Sequence, residues 1–67
     1  MKRIVQLRRR RGLTQAQAAE HVGVGFWSYA KCETGAVVPG KTSPLARALE
    51  KFYGYRLATL LKDVQAA

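Results

Sequence analysis

A chain of 67 residues with twelve Lys and Arg against four Asp and Glu, net charge +8, has room for one small core and is expected to fold as a single domain over residues 1–67. Cys32 is its one cysteine, which excludes an intramolecular disulfide; no Cys/His cluster is spaced to hold zinc, and no apolar run reaches the length of a membrane span. A secretory leader would need an apolar stretch where Arg8 to Arg11 stand, so a reducing, cytoplasmic setting is expected.

The cations are uneven. Lys2, Arg3, Arg8, Arg9, Arg10 and Arg11 all precede the first acid, Glu20, and such a positive source suits a polyanionic partner. The same segment also serves as a solvated helix face that keeps the protein soluble, and the two uses are compatible.

A first helix is predicted over about residues 2–11, where Ile4 and Leu7, with Leu13 past a bend, recur at helical spacing, and Gly12 stops it. Thr14 is a good N-cap for a second helix of strong helix formers that ends before Gly23. Small residues at Ala16 and Ala19 predict close approach of another helix. Gly23-Val24-Gly25 offers two residues tolerant of positive φ around one apolar plug, which reads as a tight helix-turn-helix corner.

The third helix is expected from Phe26 to Thr34, with Tyr29, Cys32 and Ala30 inward, Phe26, Trp27, Lys31 and Thr34 outward, and Gly35 as its end. Ala36 to Thr42, with Pro39-Gly40, reads as an extended loop. Ser43-Pro44 starts a fourth helix, lined by Leu45, Leu49 and Phe52 up to Gly54. A fifth, about Arg56 to Val64, presents Leu57, Leu60, Leu61 and Val64, more apolar positions than one face buries, and the surplus is expected to serve a dimer contact.

Leu7-Arg8, Gly12-Leu13-Thr14-Gln15, Ala18-Ala19, Gly23-Val24, Glu33, Gly35, Pro39 and Leu45-Ala46-x-Ala48-Leu49 together form an ordered set. On these residues the chain resembles the Cro and phage-repressor family of helix-turn-helix domains over about residues 4–61. The resemblance implies an all-α, five-helix, lambda-repressor-like fold with its helix-turn-helix at about residues 14–34. It implies that Thr14 and Gln15 hold the DNA backbone, a role suited to the free amides and partial positive charge of a helix N-terminus; the alternative is that Thr14 is only a cap, and one hydroxyl can serve both uses. Phe26, Trp27, Ser28 and Lys31 fall on its groove-facing surface, and Thr34, Lys41 and Thr42 on its phosphate contacts. Arg8 and Glu33 are expected to form an ion pair whose job is orientation.

The chain departs from the family pattern at the start of the recognition helix, where Gly25 holds the cap position and two aromatics follow. Phe26 has no donor, so its base contact is apolar, chiefly a thymine methyl; Trp27 adds one indole N–H, and Lys31 donates to guanine or to phosphate. The alternative for Phe26 and Trp27 is that one of them turns into the core or onto a protein surface.

The resemblance therefore implies a sequence-specific regulator, a repressor of phage or plasmid type, that binds a palindromic double-stranded DNA operator as a homodimer, with no cofactor, membrane or small-molecule partner expected. An antitoxin or restriction-controller role uses the same domain. The rival of another class is an RNA-binding or protein-binding helical module, which positive charge and exposed aromatics also suit. An enzyme is not expected, since His21, Cys32 and the acids show no nucleophile–base spacing. Gly40-Lys41-Thr42 lacks the upstream glycine and strand of a phosphate loop.

Overall fold

Four left-handed glycines, Gly12, Gly23, Gly35 and Gly54, and two hydroxyl caps, Thr14 and Ser43, punctuate the chain where it folds. The computed structural model describes residues 1–64, so the last three residues of the expected 1–67 domain lie outside the described residues. Helix α1 spans Arg3–Arg10, α2 Gln15–Val22, α3 Phe26–Thr34, α4 Pro44–Tyr53 and α5 Leu57–Leu60. The fold is all-helical; the one extended pairing among the described residues is an isolated antiparallel bridge between Lys2 and Asp63.

Thr14 caps α2 through a reciprocal box: its Oγ1 accepts from the Gln17 amide at 3.1 Å while its own amide donates to Gln17 Oε1 at 2.9 Å. Ser43 accepts from the Ala46 amide at 3.1 Å and Pro44 fills the first position of α4. Between α2 and α3 only Gly23 takes the left-handed conformation, at φ +88°, where an L side chain would be strained. Gly25 was expected to share that freedom; instead it is extended (φ −65°, ψ 147°), because one left-handed residue already turns the chain and Val24 packs against the core.

The core gathers Ile4 and Leu7 of α1, Ala18 and Ala19 of α2, Tyr29 and Cys32 of α3, Ala46, Leu49 and Tyr53 of α4, and Leu57 and Leu60 of α5. Each fully buried Leu or Ile side chain contributes roughly 1.5–3 kcal/mol. The Tyr29 and Tyr53 hydroxyls hydrogen-bond to each other inside it and tie α3 to α4, so the polar tip of each ring is satisfied where water is absent.

Three expectations are corrected. The small residues on the inner face of α2 are Ala18 and Ala19, with Val22 partly buried beside them, while Ala16 is exposed on the other side of the helix. On α4 the buried stripe is Ala46, Leu49 and Tyr53; Leu45 and Phe52 flank it, half-buried. The fifth helix ends at Leu60 rather than Val64. Beyond it the chain extends beside the N-terminus, where the Arg3 amide donates to the Lys62 carbonyl at 2.9 Å and the Val64 amide to the Met1 carbonyl at 2.7 Å. These bonds satisfy an otherwise free amide at the start of α1. Of the four apolar positions, Leu57 and Leu60 are buried, Leu61 packs on the core while half-buried, and Val64 is half-buried. Helix α5 borrows its cap from α4, where Glu50 Oε2 accepts from the Leu57 amide at 2.8 Å.

Candidate nucleic-acid interface

At the start of α2 the capping box occupies the Gln17 amide and Ala18 donates to the Thr14 carbonyl. The Gln15 and Ala16 amides have no hydrogen-bond partner among the described residues. With Thr14 and Ala16 both exposed, two N–H groups and the hydroxyl proton of Thr14 are open to an anion at the positive end of the helix.

The Gln15 side chain is engaged elsewhere. Its Nε2 donates to Glu33 Oε1 at 3.0 Å, and Arg8 Nε donates to Glu33 Oε2 at 2.7 Å. Arg8 also donates from NH1 to the Leu13 carbonyl at 2.8 Å. Glu33, 6% exposed, thus joins α1, the start of α2 and the end of α3 through one carboxylate. Burial works against the Arg8 charge, but hydrogen bonding to Glu33 and its field outweigh that and hold the guanidinium above its ordinary pKa. Burial first, then the Glu33 carboxylate and the Tyr53 hydroxyl, pushes the Tyr29 phenol well up. Sequence reasoning paired Arg8 with Glu33 and missed Gln15, whose partner lies 18 positions away. It read Thr14 as a cap without the box that Thr14-x-x-Gln17 spells out.

The outward stripe of α3 is Trp27, Lys31 and Thr34, spaced one and two turns apart, with Phe26 and Ser28 beside it; all five are exposed. Phe26 and Trp27 stand edge to face, ring centroids 5.2 Å apart at 76°, and Trp27 is 71% exposed. Neither aromatic belongs to the core cluster. Gly25 supplies no side-chain cap. Thr34 turns its hydroxyl back on the helix end, donating to the Lys31 carbonyl at 3.1 Å and accepting from the Ala36 amide at 3.4 Å. Ala30, expected inward, is half-buried at the stripe's edge.

Lys41 and Thr42 lie exposed in the loop before α4. Of the six N-terminal cations, Lys2 donates to the Leu61 carbonyl, Arg3 to Gln6, Arg8 to Glu33, and Arg11 to the Phe52 carbonyl while lying 4.6 Å over the Phe52 ring. Arg9 and Arg10 are exposed and make no side-chain hydrogen bond among the described residues. Lys2 also lies over the end of α3, its Cε 3.1 Å from where a Gly35 side chain would begin. No three His, Cys, Asp or Glu side chains among the described residues gather as metal ligands, and no described helix is long and apolar enough to cross a membrane.

No curated protein and no solved structure matches the chain. The family model of the helix-turn-helix domain matches residues 3–61, from the first residue of α1 to the turn after α5. With α2 and α3 joined at Gly23 and the outer face of α3 uncovered, the match is to the element that carries the corner, and the chain belongs to the helix-turn-helix domain family, a DNA-binding regulator fold.

Proposed function

We propose that the chain binds double-stranded DNA sequence-specifically as a transcriptional regulator, with α3 in the major groove and the start of α2 on a phosphate. The observation that carries this reading is the pair of uncovered surfaces on one corner: the free Gln15 and Ala16 amides and the Trp27, Lys31, Thr34 stripe. Thr14 and the backbone of Gln15 hold the phosphate, while the Gln15 side chain fixes the motif through Glu33. Phe26, Trp27, Ser28 and Lys31 face base edges beyond the Gly25 cap. Lys41 and Thr42, with Thr34 at the helix end, lie along the sugar-phosphate backbone.

The protein acts as a homodimer on a palindromic operator, with recognition helices about 34 Å apart, one turn of B-DNA. It represses by occupying the promoter. One domain buries too little surface for tight selectivity by itself. Selection of bound duplexes from random DNA, followed by a salt titration of the winner, tests the reading. The expected result is a log–log slope of about −0.9 per phosphate neutralised and two protomers per operator in sedimentation. A flat salt response, or single-stranded RNA bound as tightly as any duplex, would overturn it.

A further inference from the structure

Phe26 and Trp27 occupy the first turn of α3, the end of a recognition helix that meets base edges, and they are 40% and 71% exposed. Their edge-to-face contact, at 5.2 Å and 76°, joins the two rings into one exposed apolar ledge. Phe26 offers no hydrogen bond and Trp27 one donor. Such a ledge cannot make the paired donor–acceptor contacts that name a base. The apolar feature it can bury on a major-groove edge is the methyl on C5 of a pyrimidine.

Resting on the duplex-binding reading above, we infer that this pair reads the C5-methyl group itself, so that 5-methylcytosine is recognised as thymine is and cytosine methylation tunes operator affinity. The two bases differ next to that methyl, where thymine presents an acceptor and cytosine a donor. Gly25 places no side chain there, and the exposed Ser28 hydroxyl, whose oxygen lies 3.9 Å from the position of a Gly25 Cβ, both donates and accepts. Either neighbour is accommodated.

The test uses the full chain and its selected duplex. At each pyrimidine in turn, thymine is compared with deoxyuridine and cytosine with 5-methylcytosine, by binding titration at fixed salt. Removing or adding one methyl at a contacted position is expected to change affinity about 4-fold in both comparisons, the transfer value of one buried methyl-sized group. The double substitution F26Q/W27Q should erase both contrasts and leave the salt slope unchanged; because neither ring is in the core, its helical circular dichroism should match the parent. Equal affinities within both pairs at every position, with duplex binding intact, would overturn the inference alone. Methyl contrasts that persist in F26Q/W27Q would also overturn it. Failure to bind any duplex would instead overturn the reading beneath it.

Discussion

Replacing Glu33 with Gln probes the one carboxylate that three helices share. The substitution keeps the side-chain shape and one acceptor, so Gln15 Nε2, now at 3.0 Å, has a carbonyl to donate to. If the amide oxygen instead faces Arg8 Nε, which stands 2.7 Å from Glu33 Oε2, its nitrogen faces Gln15, whose own amide must flip to accept. In either orientation the negative charge that balances the guanidinium is gone. The two side chains are 12% and 2% exposed, so neither group escapes to water without moving a helix. Leaving a buried guanidinium unpaired costs about 3 kcal/mol or more. A domain of this size holds roughly 3–10 kcal/mol in total, and each kcal/mol shifts its midpoint by about 4–8 °C. Thermal unfolding followed by circular dichroism should therefore drop by about 12–24 °C in E33Q. The double substitution R8M/E33L, which removes both charges and keeps their volume, should recover most of that loss. An E33Q midpoint within about 2 °C of the parent would refute the reasoning, as would an R8M/E33L midpoint as low as that of E33Q.

Other consequences follow from the same geometry. The Tyr29 and Tyr53 phenols are both held above their ordinary value of 10.0, by burial first, and the Cys32 thiol above 9.0 for the same first reason. All three are neutral when protonated, so the folded state keeps protons that the unfolded chain releases. Their stabilisation is complete below about pH 8 and falls as pH rises through the unfolded values of 9.0 and 10.0. Denaturant titrations between pH 8 and 11 should show that decline, and a flat profile would count against it. Gly25→Ser should stabilise by roughly 0.5–1 kcal/mol and raise the melting temperature by several degrees, because the site is extended and open and a hydroxyl there can cap α3. By contrast, Gly23→Ala has space but a φ of +88°. It should destabilise by about 1 kcal/mol or more in the same assay, and an equal or higher midpoint would show that the corner does not depend on that backbone conformation.

Local chemistry made much of this protein legible. Thr14 and Ser43-Pro44 start helices in any context that leaves their neighbours helical, and Gly23, Gly35 and Gly54 end them, because caps and left-handed turns depend on residues within three or four positions. The outward stripe of α3 followed from spacing alone. Phase was harder: Phe52 and Tyr53 are adjacent aromatics, and helical periodicity does not say which one enters a core until the partner hydroxyl of Tyr29 is in place.

Sequence by itself determined an all-helical chain with a glycine corner between its second and third helices, since these depend on propensity, capping and patterning. Tertiary structure alone decided that α5 stops at Leu60, because the following backbone pairs with Met1 and Arg3 rather than with itself. It also decided that Gln15 turns its side chain to Glu33 and leaves its amide outward. Both outcomes are choices among hydrogen-bond partners far apart in the chain, and loop closure brings those partners within reach only once the core has formed.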